Sequence, residues 1–398
     1  MSVSKEDPAL FSESFNADPH PVYAALRRSA PVHRVVLPTG VPVWLVTRYD
    51  EGRQALGDPR LSKAVEMSAG ARQLPARMHD ALTRHMLAAD PPDHTRLRRL
   101  VSRVFTARRT EALRPRVQEI TDSLLDEMAA HDRVDLIDAF AFPLPIQVIC
   151  ELLGIPAEDR DSFRAWSNVI VAGAAAAAEL PAAAGAMVDY IERLLAQKRA
   201  HPADDLLSGL LEVRDGGDQL SHTELISMVF LLLVAGHETT VNLIGNGMYV
   251  LFTRPELRHR LAADESLLPA AVEEFLRFES PVETATFRVA TEPLTIGGTA
   301  VAAGDAVLVS LLSGNRDPER FTDPDVFDAG RTDNQHLAFG HGIHYCLGAP
   351  LARLEAQVGL GSLLRRYPAI DLGVPPENLV WRTGLLLRGL LTLPVRLT

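Results

Sequence analysis

Apolar positions along the chain recur mostly at helical spacing. Val117, Ile120, Leu124 and Met128 fall on one face of a helix predicted over 115–128. Cys150 sits in a similar apolar face over 149–153 and reads as core. The stretch 225–236 is apolar and uncharged and stops at His237 and Glu238. Asp90, Pro91 and Pro92 mark a helix start, with Asp90 as cap and the prolines where a missing N–H costs nothing. Period-two alternation is rare. Residues 41–46 read as a strand, and 294–296, the Gly297–Gly298 turn, 299–301 and 306–309 as one small hairpin system. The pattern predicts a mainly α body with small antiparallel sheets. It lacks the alternation of strand and helix that a dinucleotide-binding fold requires. The alanine-rich segment 172–186 reads either as a mobile helix–loop–helix lid or as a plain surface helix.

The chain has 398 residues with no linker and no internal repeat, so one domain over 1–398 is expected. Two cysteines, Cys150 and Cys346, make neither a disulfide framework nor a Cys-rich zinc site, and point to a reduced, cytoplasmic setting. A net charge of −11 argues against nucleic-acid and anionic-membrane partners. The first residues carry no apolar leader pattern, and the run 225–236 is shorter than the roughly 20 residues of a bilayer span. No membrane association is expected.

Chemistry concentrates in residues 339–348, Phe-Gly-His-Gly-Ile-His-Tyr-Cys-Leu-Gly. Gly340, Gly342 and Gly348 permit tight turns and close approach of backbone to something flat. A helical pattern follows at once, so Cys346 lies at or just before a helix N-terminus. Amide donors and the helix dipole favour a thiolate there, suited to a single axial ligand on haem iron. Two other readings exist: an inert core cysteine, and a zinc site from His341, His344 and Cys346 that lacks a general-base motif.

Three further clusters stand out. Ala235-Gly236-His237-Glu238-Thr239-Thr240 breaks an apolar helix with an ionisable pair, which is costly unless it has a partner or a task. Gly236 leaves space beside the helix, and the acid and hydroxyl after it can relay protons through water. A solvent-facing polar patch is the plainer alternative. Glu274 and Arg277 at i, i+3, and His94 and Arg98 at i, i+4, each share one helical face. Between residues 94 and 116 there are eight arginines against one acid, Glu111. That stripe reads as a solvated face or as a docking surface for an acidic partner, joined by Arg353, Arg365 and Arg366.

The pattern Phe-Gly-x-Gly-x-His-x-Cys-x-Gly resembles the haem-binding signature of the cytochrome P450 family. The order of the other clusters resembles it too, from His94 to Gly348, with looser similarity over nearly the whole chain. The resemblance implies a single triangular, mostly helical domain without a fused reductase, binding haem b with Cys346 as iron ligand. It implies Phe339, Gly340 and Gly348 around the thiolate, and Ala235 and Gly236 over the ring. His94, Arg98, Arg288 and His344 would contact the propionates. Glu238 would pass protons inward and Thr239 would hydrogen-bond dioxygen and water. Glu274, Arg277 and Arg331 would form a structural lock with the irregular segment after Asn315.

The implied activity is monooxygenation of a lipophilic natural product by O2, with electrons from a ferredoxin and its NAD(P)H-dependent reductase. Residues 283–287, 385–390 and the intact Ala-Gly-His-Glu-Thr-Thr are similar to actinomycete enzymes that tailor macrolides and other polyketides in antibiotic biosynthesis. Steroids, vitamin D or terpenoids are the alternative substrates. Val234, Val282, Ala285 and Leu386 are candidate pocket residues. A peroxide-using relative would carry arginine and proline in place of the acid and alcohol, and a non-catalytic, partner-recruiting relative would have lost the cysteine.

Overall fold

The computed structural model describes residues 8–64, 75–156, 159–172 and 178–397. The alanine run 174–178 falls almost wholly outside them. Helix accounts for 56% of the structure. The chain gathers into two compact units, one formed by 1–67, 121–141 and 239–398, the other by 68–120 and 142–238.

The first unit holds all three sheets. The strands are β1 (Val32–Val36), β2 (Pro42–Val46), β3 (Leu61–Ser62), β4 (Arg133–Asp135), β5 (Arg288–Ala290), β6 (Leu294–Ile296), β7 (Thr299–Val301), β8 (Ala306–Val309), β9 (Asp371–Leu372) and β10 (Pro394–Arg396). The largest sheet runs β1-β2-β8-β5-β3, with β2 and β8 parallel and Val43 opposite Ala306. The periodicity led us to expect β8 in the hairpin; it lies instead inside this sheet. All four of its residues are buried, and a short run that is apolar on both faces belongs between other strands rather than at an edge. Only β6 and β7 form the hairpin, turned by Gly297 and Gly298 at φ +52° and +79°, both in the left-handed region the tight turn demands. Strand β1 was not foreseen, because only Val32 and Val35 along it are buried. Strands β4, β10 and β9 pair as a third sheet.

Two apolar clusters pack against the large sheet. One joins Tyr49, Leu56, Val307, Val309, Phe321 and Leu337, the other Phe15, Tyr23, Val43, Leu45, Leu308 and Leu312.

In the second unit, helix Asp93–Val104 begins after the prolines rather than on them, with Pro92 as N-cap and the His94 N–H donating to the Asp90 carbonyl at 2.9 Å. The Asp90 backbone carbonyl closes that turn. Cys150 is fully buried in helix Pro143–Leu153, as core. The longest helix, His222–Phe252, contributes 222–238 to this unit and 239–252 to the first. By length and composition it could cross a bilayer, but 67% of its most apolar window is buried, as in a core helix.

Candidate active site

The cysteine loop is shaped by its glycines. Gly340 and Gly342 have φ of +73° and +72°, and a Cβ on Gly342 would lie 3.1 Å from the Leu56 carbonyl oxygen. Residues Gly342–His344 form one 3₁₀ turn, and the Cys346 N–H donates to the Phe339 carbonyl at 2.9 Å. Helix Ala349–Arg366 starts after Gly348, so Cys346 stands two residues before the N-cap. A Cβ on Gly348 would touch the Cys346 sulfur at 3.8 Å. The thiol is exposed, and Ile343 and Tyr345 beside it are 48% and 40% exposed, large apolar groups uncovered next to a soft ligand atom. One thiol flanked by apolar surface fits a haem. A zinc centre does not fit: among the described residues no three His, Cys, Asp or Glu side chains converge, His341, His344 and Cys346 included.

Behind the loop, the Arg353 guanidinium lies 4.5 Å over the Phe339 ring and grips Glu273 through two hydrogen bonds of 2.6 and 2.8 Å. Burial pushes Glu273 up, but Arg353 and His336 outweigh it and hold the carboxyl at about 2.

Helix Leu268–Phe278 carries the Glu274–Arg277 pair, both side chains wholly buried. Arg277 meets both Glu274 oxygens at 2.7 and 2.8 Å. Its remaining donors reach the carbonyls of Asn315, Pro324 and Val326 at 2.9, 2.8 and 3.2 Å. Arg331 Nε lies 3.3 Å from Glu274, which also accepts from Asn334 Nδ2 at 3.1 Å and the Asp328 N–H at 2.9 Å. An irregular segment is thus tied to one helix through a desolvated pair whose lone pairs and protons are met.

Arg288 lies on β5, 4% exposed. The segment before it runs along the turn near 386. Val282 bridges Leu387, Thr284 Oγ1 donates to the Leu385 carbonyl at 2.7 Å, and the Ala285 N–H donates to the Val309 carbonyl at 2.8 Å. Val282 and Ala285 are partly buried against the first cluster, whereas Leu386 and Phe287 are 47% and 38% exposed. Phe287 was not among the sequence candidates, although it adjoins Arg288.

In the second unit His94 is 2% exposed on the face it shares with Arg98. Burial lowers its pKa, and the Arg98 charge lowers it further. Val234 is half-buried and Ala235 exposed. A Cβ on Gly236 would meet Ile149 at 3.1 Å, so the room expected beside this glycine is filled on that side by a core side chain. His237 and Glu238 are each 1% exposed, which rules out the solvent-facing patch. His237 Nδ1 donates to the Leu233 carbonyl at 2.7 Å, Nε2 hydrogen-bonds Ser167 Oγ at 3.0 Å, and Nε2 lies 3.5 Å from Glu238.

Thr239 is half-buried and Thr240 buried. Thr240 faces Glu355, a carboxyl the sequence reading missed. Burial raises Glu355 to about 8; the Thr240 hydroxyl pulls the other way without closing a hydrogen bond of normal geometry. An acid between Leu354 and Ala356, inside an otherwise apolar helix face, was the available signal.

The arginine stripe is largely paired. Arg96 meets Glu224 and Asp218, Arg99 and Arg103 meet Asp215, Arg109 meets Asp204, Arg114 meets Glu111, and Arg116 meets Glu119 and Glu151. Arg353, Arg365 and Arg366 pair with Glu273, Glu265 and Asp126. Six of the eight arginines between 94 and 116 thus carry acid partners on a largely solvated face.

A family profile described as Cytochrome P450 matches residues 177–389. The chain is 50% identical over 395 residues to Vitamin D(3) 25-hydroxylase of Pseudonocardia autotrophica, covering 99% of this chain and 97% of that one. It is 47% identical over 376 residues to Mycinamicin IV hydroxylase/epoxidase of Micromonospora griseorubida, covering 94% of each. The tirandamycin C-bound structure of the P450 monooxygenase TamI superposes with a TM-score of 0.89 at 52% identity, covering 97% of this chain and 99% of that one.

Proposed function

The chain belongs to the cytochrome P450 family and is a haem-thiolate monooxygenase using O2, redox partners and a lipophilic substrate, and on that premise we propose that it hydroxylates or epoxidises a macrolide or other polyketide. When bound, haem b activates O2 so that one oxygen atom enters the substrate and the other leaves as water, with two electrons and two protons consumed.

The protein's part is ligation, orientation and proton supply. Cys346 would hold the haem iron through its thiolate, with Phe339, Gly340 and Gly348 shaping its surroundings. His94, Arg98, Arg288 and His344 would receive the propionates. Ala235 and Gly236 would lie over the ring, as the family resemblance implies. Thr239 would hydrogen-bond dioxygen and water, and Glu238 would pass protons to it. Glu355, neutral below about pH 8, offers a second proton source behind Thr240. Glu274, Arg277 and Arg331 are structural. Val234, Val282, Ala285, Leu386 and Phe287 line the substrate side. Electrons come from a ferredoxin and an NAD(P)H-dependent reductase, and residues 1–398 act as one catalytic module.

The observation that carries this reading is the exposed Cys346 in its glycine-turned loop. A second reading, the same chemistry on vitamin D or a steroid, is favoured by the 50% identity to the vitamin D(3) hydroxylase. The ferrous–CO difference spectrum tests the first step: a strongly red-shifted Soret band in the wild type, lost in Cys346→Ala. A band typical of histidine ligation, or normal turnover in the variant, would overturn the ligand assignment. Titration with macrolide aglycones, vitamin D3 and steroids then sorts the substrate class by which one drives the low-to-high-spin shift.

A further inference from the structure

Glu283 is a carboxylic acid inside the wall that carries Val282, Ala285 and Leu386. Its N–H donates to the Leu386 carbonyl at 2.9 Å, and its carbonyl accepts from the Leu312 N–H at 3.1 Å. With the Val282–Leu387 bridge and the Arg388 N–H on the Pro281 carbonyl at 3.0 Å, residues 281–285 and the 385–388 turn form one connected piece. The Glu283 side chain is buried, and Oε1 accepts from Tyr23 Oη at 2.6 Å. Tyr23 is itself fully buried, on helix His20–Ser29 near the N-terminus.

Every cation around this acid is committed elsewhere. His20 from the same N-terminal helix lies 3.0 Å from Glu279, Arg388 donates to Glu279 at 2.7 Å and to the carbonyls of Asn16 and Ala17, and Arg316 lies 3.6 Å from Glu279. Burial raises Glu279, but His20, Arg388 and Arg316 hold it far below the usual carboxylate range. Glu283, four residues on, receives the Tyr23 phenol and part of the Arg388 charge, against the like charge of Glu279. Burial therefore raises it to about 7. Ser310 also faces the Tyr23 hydroxyl. Two buried acids four residues apart are thus shifted in opposite directions by their surroundings.

We propose that Glu283 is a positioning residue for substrate: neutral and hydrogen-bonded to Tyr23, it holds the 281–285 segment and the 385–388 turn in the binding geometry, and its ionisation loosens that wall. The proposal rests on the assignment of this wall to the substrate side. An unpaired carboxylate here would draw water or drive its segment outward, and the segment cannot shift without its hydrogen-bonded turn.

The test is hydrogen–deuterium exchange of peptides spanning 281–288 and 384–391 in the holoenzyme from pH 5.5 to 8.5. Wild type and Glu283→Gln are compared at equal pH, so that intrinsic exchange cancels. Exchange in wild type should outpace the variant by a factor that grows up to about tenfold per pH unit towards pH 7 and then levels. Tyr23→Phe, which removes the one donor holding the carboxylate, should move that plateau to higher pH. In parallel, the Kd of vitamin D3, a neutral probe, is read from the spin-state change. It should weaken severalfold between pH 6 and 8 in wild type and stay flat in Glu283→Gln. Coincident exchange of wild type and Glu283→Gln at every pH overturns the proposal, as does a Tyr23→Phe plateau that does not move. A pH-dependent exchange with a vitamin D3 affinity that does not follow it would instead remove the wall from the substrate side. The positioning role would then fall while the coupled ionisation stood.

Discussion

Glu355 and Thr239 show how a single side chain's surroundings decide what it can do with a proton. Glu355 is fully buried and held near 8, above the ordinary glutamate value of 4.5. A carboxyl raised in the folded state stabilises the protein most below its unfolded pKa and loses that contribution as pH climbs through the folded one. Glu355→Gln should therefore match the wild type most closely near pH 5. It should then gain on it by at most about 1.4 kcal/mol per pH unit up to pH 8. Thermal unfolding across pH 5–9 reads this directly, and parallel curves would show that Glu355 stays ionised throughout. Thr239→Ala should retain haem but divert reducing equivalents to peroxide, lowering product formed per NAD(P)H by on the order of tenfold or more. Unchanged coupling would remove Thr239 from proton delivery.

At the level of elements, the helix Leu268–Phe278 and the irregular segment after Asn315 depend on one guanidinium. Arg277 spreads its donors over a carboxylate and three carbonyls in a fixed planar fork that lysine cannot copy. Arg277→Ala leaves Glu274 buried with its main partner gone, a loss of about 3–5 kcal/mol. Little holoprotein should be recovered from it, and Arg277→Lys should rescue little; a normal haem content in either variant would contradict the lock. The exposed pairs behave differently. Arg116 bridges Glu119 and Glu151 at 2.7 and 2.6 Å with half its side chain in solvent, so Arg116→Ala should change stability by less than about 1 kcal/mol in chemical denaturation.

Over the whole molecule, charge is arranged by sign pairing more than by patches. A net −11 supplies acids enough to meet six of the eight arginines between 94 and 116. If these charges are already satisfied internally, replacing Arg99 and Arg103 together by Gln should leave the KM for reduced ferredoxin within roughly twofold. A tenfold rise would restore the stripe as a docking surface.

The amino-acid sequence determined the chemistry that lies close together along the chain. The cysteine loop, the Ala-Gly-His-Glu-Thr-Thr segment and the helical pairs were legible because their meaning rests on local spacing: a turn needs its glycines and a helical face needs i, i+3 or i, i+4. The mainly helical class followed from periodicity for the same reason. What depended on distant partners was settled only by the tertiary structure. Strand β8 sits inside the large sheet because β2, about 260 residues earlier in the chain, pairs with it. Six arginines of the stripe meet acids, which reach them from 204–224 as well as from nearby. Glu355 and Glu283 are pushed above the usual carboxylate range because folding removes their water and their neighbours only partly offset the loss. Desolvation is a property of the packed interior, and no window of sequence contains it.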